Sequence, residues 1–487
     1  MIFNFKSSGK KKSGMRKGNR EIMLITYVFV AVFIGLIIYL FWYTQFKSSS
    51  IINNPYNKRQ DLLAAKVVRG DILSRDGSVL ATTFIDENGL EERYYPYDRL
   101  FSHSVGFSTH GKTGVESIAN FTLITSDIYI GERIKNDFNG VKNPGNKVIT
   151  TLDVYLQQIA DVSLGDRRGA VLACNANTGE VLALVSKPDF DPNTVALNWD
   201  FINDESNTML LNRATSGLYP PGSTFKIITA LEYIKEHNDL DDYSYNCTGA
   251  FSADGNTINC YHGQKHGEVD FTKSFAKSCN SSFANIATTL NKRQFAKTCD
   301  ELLFGRDLPI PYNYKQSQVV IDDESSTADV MQTAIGQGKT QITPFHMNLI
   351  TQAICNNGVL MTPYVISKTL TANNDELTET KPTEYGRLLS TSNAKTLQEL
   401  MGEVVISGTA TKLRDSFGYT AYGKTGSAEY SSDKSKSHAW FTGYGLDDAG
   451  NKIAVTVIIE GGGSGGEVAV PVARNVFDAF FGSIANY

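Results

Sequence analysis

The sequence predicts an α/β (α+β) fold: an antiparallel sheet flanked by helices, preceded by a smaller β-rich membrane-proximal domain and an N-terminal transmembrane helix. Three observations carry this prediction. An uncharged apolar stretch runs from Ile22 to Phe46. Short strand-like segments and turns follow it as far as about Asn146, and from Val148 onward helix-period segments alternate with apolar strands supplied by both ends of the region. The expected divisions are a basic tail over 1–21, an anchor over 22–46, a pedestal over 47–147 and a larger domain over 148–487.

At 487 residues, 41% hydrophobic and 20% charged, the chain can bury a sizeable core and is neither disordered nor fibrous. Its net charge of −5 speaks against a general nucleic-acid binder, whose footprint is a basic domain. The average hides an asymmetry. Lys6, Lys10, Lys11, Lys12, Arg16, Lys17 and Arg20 precede the apolar stretch with no acid among them, leaving 39 basic against 51 acidic residues, net −12, in the remainder.

A run of about 25 apolar or weakly polar residues spans a bilayer at 1.5 Å per residue. A cleaved signal peptide would have a shorter apolar region followed by small residues at a cleavage site. The basic cluster before the span keeps the N-terminus in the cytoplasm and sends everything after Lys47 outward, with Tyr39, Trp42 and Tyr43 as the outer aromatic belt. An ectodomain there meets no ATP pool, so chemistry without a cofactor or metal is expected. The six cysteines are too few and scattered for a disulfide framework.

Beyond the membrane, Asn53 to Lys58 is a turn-rich linker, and Val67 to Thr83 alternates around Arg75-Asp76-Gly77-Ser78 as a β-hairpin. Leu152, Leu156 and Ile159 lie at helical spacing. Ala170 to Ala173 and Val181 to Val185 are apolar strands joined by a turn. After Pro220-Pro221-Gly222, Ser223 to Ile234 reads as a helix with Phe225, Ile228 and Leu231 on one side. Ala439 to Tyr444 and Ile453 to Ile459 are strands, and Val472 to Phe481 is an amphipathic helix.

Several motifs are decoys. Gly106 to Thr113 and Gly418 to Thr425 both match the phosphate-loop pattern, but neither has the strand before and helix after that would present phosphates to a helix N-terminus. Gly462 to Gly466 fits a nucleophile elbow, yet no histidine follows it, so it reads as a tight turn against a neighbouring strand. Cys247, Cys260, His262 and His266 lack the close CxxC step of a preorganised zinc site, and a loop disulfide between Cys247 and Cys260 stays open.

What survives is Ser223-Thr-Phe-Lys226, then Ser278-Cys-Asn280, then Lys424-Thr-Gly-Ser427. Singly these are weak signals: SxxK recurs at Ser7, Ser8, Ser274, Ser392 and Ser431, SxN at Ser244 and KTG at Lys112. Order and context raise the set. Ser223 alone opens an apolar helix behind a Pro-Pro-Gly stop, placing Lys226 one turn on to take its proton. Ser278 precedes a helical pattern, and Lys424 introduces an extended segment. An unassisted serine is a poor nucleophile and no histidine triad is present, so Lys226 must act neutral, its pKa depressed by burial and by the charge of Lys424. Ser278 then passes the proton to the leaving amine, and Asn280 holds Lys226 and the substrate amide. Backbone N–H groups of Ser223 and Ser427 form an oxyanion hole beside Gly426, and Thr425, Ser427 and Lys424 suit a terminal carboxylate.

These residues resemble the penicillin-binding proteins, serine acyltransferases of the β-lactamase/transpeptidase-like fold whose signature is this trio. The similarity spans nearly the whole chain and points to the class B transpeptidases, penicillin-binding protein A-like in layout: a short tail, one anchor, Asn54-Pro55-Tyr56-Asn57-Lys58-Arg59, then Arg69-Gly70-Asp71-Ile72 and Gly111 to Glu116 in the pedestal. Arg213-Ala214, Tyr219 to Gly222, Gly336-Gln337-Gly338 and Gly408-Thr409-Ala410 are further landmarks. Cys279 in the middle of SxN and Ser427 where Thr is common are departures that leave the reacting groups intact. The resemblance implies attack on the D-Ala-D-Ala end of a peptidoglycan stem peptide, transfer to an amine of a second stem, covalent trapping by β-lactams, and a SEDS-type glycosyltransferase as membrane partner. A β-lactamase, a β-lactam sensor and a noncatalytic cell-wall scaffold are the rival readings.

Overall fold

The computed structural model describes residues 12–46, 63–204, 206–237, 239–429 and 437–484. Helix α1 (Lys12–Phe46) contains the apolar span, Arg20–Thr44, with none of it buried. It begins within the basic segment rather than at Ile22. Tyr39, Trp42 and Tyr43 cluster at its distal end, with ring centroids 6.1–6.3 Å apart. The linker Asn53 to Lys58 lies outside the described residues.

Residues 63–487 form a separate compact unit. The expected hairpin is β1 (Ile72–Leu73) and β2 (Val79–Ile85), antiparallel, followed by β3 (Glu91–Tyr94) on its outer side. The turn closes through Gly77 at φ 87° and through Asp76, whose carboxylate accepts from Ser74 Oγ and Ser78 N. The landmark segments meet at Glu116. It is fully buried, receives Arg69 Nε at 2.6 Å and Arg93 Nε at 2.7 Å, and accepts from Tyr95 OH at 3.1 Å.

Strand β4 (Lys147–Thr150) crosses the expected boundary at 147/148. It pairs in parallel with β1 and antiparallel with Ile366–Leu370, so one six-stranded sheet joins pedestal residues to the larger domain. Helix α2 (Val154–Leu164) starts two residues after Leu152, where Asp153 caps it by accepting from Leu156 N, and buries Leu156, Ala160 and Leu164.

The core sheet is antiparallel throughout. Its strands are β5 (Gly169–Asn175), β6 (Val181–Lys187), β7 (Thr420–Glu429), β8 (Ser437–Leu446) and β9 (Lys452–Ile459), in the spatial order β7-β8-β9-β5-β6. Both ends of the domain therefore supply it, as expected. The strands from β8 to β6 are buried nearly end to end because helices cover both faces, and β5, β6 and β9 read as near-continuous apolar runs. The closing helix Val470–Ile484 packs against α2 and β9, and Pro344–Cys355, buried along its whole length, packs against β8 and β9.

Candidate active site

The nucleophile turn differs from the simple helix expected from Ser223. Gly222–Phe225 is a 3-10 turn and the α-helix starts at Lys226. With three residues per turn, positions i and i+3 eclipse, so Ser223 and Lys226 share one face more strictly than α-helical spacing would place them. Gly222 takes φ 53°, and an added Cβ would lie 3.0 Å from Ala428 in β7. Only glycine accepts both that backbone and that approach. The turn is clamped further: Gly222 N donates to Gly336 O at 2.8 Å, and Trp440 Nε1 donates to Pro220 O at 3.1 Å.

Ser223 is partly exposed, whereas Lys226 and Lys424 are fully buried. Lys226 Nζ donates to Ser278 O and to Asn280 Oδ1, each at 2.7 Å, and lies 3.3 Å from Ser278 Oγ. The two nearer partners are carbonyl oxygens that only accept. A neutral amine spends both protons on them, and its lone pair is left for a hydroxyl. Burial lowers the Lys226 pKa to about 7, with Cys279 and Cys260 pulling the other way. Lys424 is pushed well below the usual lysine value by burial and then by the charge of Lys226. The expected influence of Lys424 on Lys226 thus falls on Lys424 instead, and burial alone brings the base into range.

Ser278 adopts φ 57°, a left-handed conformation uncommon outside glycine and asparagine. That turn points its backbone carbonyl and hydroxyl at the same lysine. Cys279 then caps the helix Asn280–Ala287, accepting from Ser282 N. Lys424, on β7, donates to Ser278 Oγ at 2.8 Å. Downstream, Thr425 Oγ1 shares a hydrogen bond with Thr409 Oγ1, and Ser427 Oγ accepts from Gly465 N at 3.4 Å. At Gly426 an added Cβ would sit 3.0 Å from Pro221 O, so glycine lets the nucleophile turn lie against the strand.

Ser223, Ser278, Asn280, Thr425, Gly426 and Ser427 all line one cleft of about 810 Å³. The eight site residues expected from sequence are therefore brought together, with the two lysines buried. Of the other motifs, the Gly462 to Gly466 turn brings Ser464 and Gly466 to the wall of the same cleft. Gly418 to Thr425 runs into β7, and Gly465 is a close-approach glycine whose added Cβ would lie 2.4 Å from Gly426 O. Ser274 is buried and receives Ser282 Oγ at 2.7 Å, Ser392 is exposed beside Ser390, and Ser7, Ser8 and Ser431 lie outside the described residues.

Residues without an assigned role also belong to the site. Thr409 faces Thr425; its Gly408-Thr409-Ala410 setting was legible as a landmark only. The Gln337 amide pairs with the backbone N and O of Glu429 at 3.1 and 3.2 Å, bracing the edge of β7. Asn259 O accepts from Asn280 Nδ2 at 3.1 Å. Behind this turn, Cys247, Cys260 and Cys279 gather with His266, their ligand atoms all within 4.8 Å of one another. Cys247 and Cys260 are unbridged, at 3.7 Å between sulfurs. His262 is exposed, so Cys279 stands where His262 was considered. The expectation of no metal site therefore meets a candidate ligand set.

The chain matches the family model for the penicillin binding protein transpeptidase domain over residues 169–478 and that for the penicillin binding protein A dimerisation domain over 69–148. It is 29% identical to the peptidoglycan D,D-transpeptidase PbpA of Mycolicibacterium smegmatis, over 88% of this chain and 92% of that protein. It is 28% identical to PbpA of Mycobacterium tuberculosis, over 95% and 99%. Among solved structures, the imipenem acyl-enzyme of penicillin-binding protein A from M. tuberculosis superposes with a TM-score of 0.76 at 27% identity, covering 85% of this chain and 99% of that one. A D,D-transpeptidase domain from Eggerthella lenta gives 0.76 at 26% identity, covering 87% and 100%.

Proposed function

The chain belongs to the penicillin-binding protein transpeptidase family, as a class B member, and we propose on that premise that Ser223 carries out D,D-transpeptidation on peptidoglycan stem peptides. The observation that carries this reading is the hydrogen-bonded series Lys226–Ser278–Lys424 behind a partly exposed Ser223 in a single cleft. Ser223 Oγ attacks the penultimate D-Ala carbonyl as neutral Lys226 takes its proton. Backbone N–H groups of Ser223 and Ser427 receive the developing oxyanion, a term worth about 3 kcal/mol per donor. Ser278 relays the proton to the departing D-Ala amine, and the acyl-enzyme then passes to the amine of a second stem. Asn280 holds Lys226 through Oδ1 and the substrate amide, while Thr425, Ser427 and Lys424 receive the terminal carboxylate. A β-lactam places its strained amide and carboxylate on the same groups, which makes Ser223 its covalent target.

The chemistry needs the outer face of the membrane, where the wall precursor lies. The basic segment before the α1 span supports an N-terminus in the cytoplasm and a catalytic domain outside. The region 47–147 is too short to be a separate glycan polymerase, so glycan strands come from a partner, by family resemblance a SEDS-type glycosyltransferase. Complementation tests the enzymatic reading. Wild-type protein should rescue a deletion strain and Ser223→Ala should not; equal rescue by both would favour a scaffold.

A further inference from the structure

The segment from β10 (Ser244–Cys247) to β11 (Gly267–Asp270) leaves the larger domain as a hairpin pair and returns beside the Ser278 turn. It has almost no core of its own. Within it only Cys247, Gly249, Cys260 and Val269 are buried, and the cluster at its base consists of Cys247, Cys260 and Cys279, with Tyr245 packed against it. Phe251, Ala253 and Ile258 lean partly buried against the main core, but with so few buried apolar side chains the excursion gains little from hydrophobic packing.

Four of the six distances among the candidate ligand atoms match the edges of a tetrahedral thiolate site, and all six lie within 4.8 Å. With Zn–S near 2.3 Å and Zn–N near 2.0 Å, the edges of such a tetrahedron are about 3.8 Å between sulfurs and about 3.5 Å between sulfur and nitrogen. Cys247–Cys260 and Cys260–Cys279 are both 3.7 Å, and His266 Nδ1 lies 3.3 and 3.7 Å from the sulfurs of Cys247 and Cys260. A disulfide would need about 2.05 Å. The surroundings suit thiolates rather than packed thiols. Ser281 Oγ lies 3.0–3.4 Å from all three sulfurs, Ser281 N donates to Cys260 Sγ at 3.5 Å, and Ser282 N donates to Cys279 Sγ at 3.4 Å. Donors of this kind orient and stabilise metal-bound sulfur.

We propose that Cys247, Cys260, Cys279 and His266 bind one thiophilic divalent cation, zinc by the chemistry of the donor set, and that this ion fixes the Ser278–Asn280 turn for acylation. Cys279 is the residue between Ser278 and Asn280. Cys260 directly follows Asn259, whose carbonyl receives Asn280 Nδ2. Two of the four ligands are thus covalent neighbours of groups that position the lysine base, and one of them, Cys279, directly follows the left-handed Ser278. The ion is structural, with all four positions filled by protein, and touches no substrate. The positioning half of the proposal rests on Ser223 being the acylated nucleophile; the binding half does not.

The test uses full-length protein in detergent, purified without chelator or added metal. Elemental mass spectrometry should find about one zinc per chain, and cobalt(II) exchange should give thiolate-to-metal charge-transfer absorption. Both should be lost in Cys260→Ser. They should persist in Cys174→Ala, and Cys279→Asp, which retains a ligand, should keep the metal. Stripping zinc from the wild-type protein should slow fluorescent penicillin labelling by about tenfold to a hundredfold, with recovery on adding one equivalent. Absence of zinc together with no cobalt spectrum, a Cys247–Cys260 disulfide in the purified protein, or zinc retained by Cys260→Ser would overturn the binding half. Unchanged labelling after stripping would overturn the positioning half. Labelling absent from both loaded and stripped protein would count against the transpeptidase reading and remove the positioning half with it, while metal content still decides binding.

Discussion

Lys424 Nζ donates to Ser278 Oγ across 2.8 Å, and the same hydroxyl lies 3.3 Å from Lys226 Nζ. One serine thus stands between two fully buried lysines, each with its pKa lowered by burial. Burial leaves Lys226 available as a base, its charge when protonated bears on Lys424, and the shared hydroxyl supplies the route for a proton between the nucleophile and the leaving amine.

Acylation should therefore rise with pH through about 7 as Lys226 loses its proton. Lys226→Ala should lower the rate by about 10²- to 10⁴-fold, whereas alanine at His262, exposed at the rim of the cleft, should leave it within about tenfold. Stability carries the same signature. Between about 7 and 10.5 the unfolded chain holds the Lys226 proton and the folded state does not, so the unfolded state binds more protons and stability rises with pH across that window. Lys226→Met should lack this contribution. Penicillin-labelling rates and thermal melts across pH check both, and a rate flat through pH 7 would contradict the assignment of the base.

A residue that meets no substrate should also control the rate. Gly336 lies at φ 71°, and an added Cβ would come 2.0 Å from Gly222 O, the backbone that sets up Ser223. Gly336→Ala should cut acylation by at least about tenfold, while Gly255→Ala, in an open turn with nothing within 4 Å, should leave it unchanged. Labelling kinetics on both variants decide this.

Much of this site was legible because catalysis constrains sequence locally. A serine and lysine three apart after Pro-Pro-Gly, SxN before a helix and KTG entering the strand β7 are short-range patterns, and β5, β6, β8 and β9 were legible as strand-like segments. The 3-10 turn at Ser223 was not legible, since it depends on Gly336 and Ala428, remote in sequence, pressing on Gly222. The cysteine cluster was legible in three of its ligands, Cys247, Cys260 and His266, but not in Cys279, for a related reason. Its ligands come from two strand ends, a loop and a helix cap with no CxxC step, and only the Cys247–Gly267 register selects His266 over His262. The boundary at 147/148 is blurred because β4 serves both sides of one sheet, which a linear reading cannot express.

The pedestal should depend on Glu116. Burial alone would raise its pKa, but Arg69 and Arg93 outweigh that and hold it below the usual value. Glu116→Gln would leave two arginines without their counter-charge and should destabilise by about 3–5 kcal/mol, the usual cost of breaking a buried pair. A carboxylate with a depressed folded pKa contributes fully above its unfolded value, near 4.5, and loses that contribution as pH falls through the folded one. The gap between wild type and variant should accordingly shrink on acidification. Thermal denaturation at neutral and acidic pH measures it.

Protease added to intact, wall-stripped cells should degrade the catalytic domain. Protection of that domain would reverse the proposed orientation of α1 and remove the wall precursor from its reach.

The most direct test of the account is the site of covalent capture by a β-lactam. The purified protein is incubated with a fluorescent penicillin, digested, and the modified peptide sequenced by mass spectrometry. A single stoichiometric adduct on Ser223, abolished in Ser223→Ala, is the expected result. An adduct on Ser464 would restore the nucleophile-elbow reading, an adduct on Ser392 or Ser431 would mean a different SxxK is the nucleophile, and no adduct at all would contradict an acylating serine in this cleft.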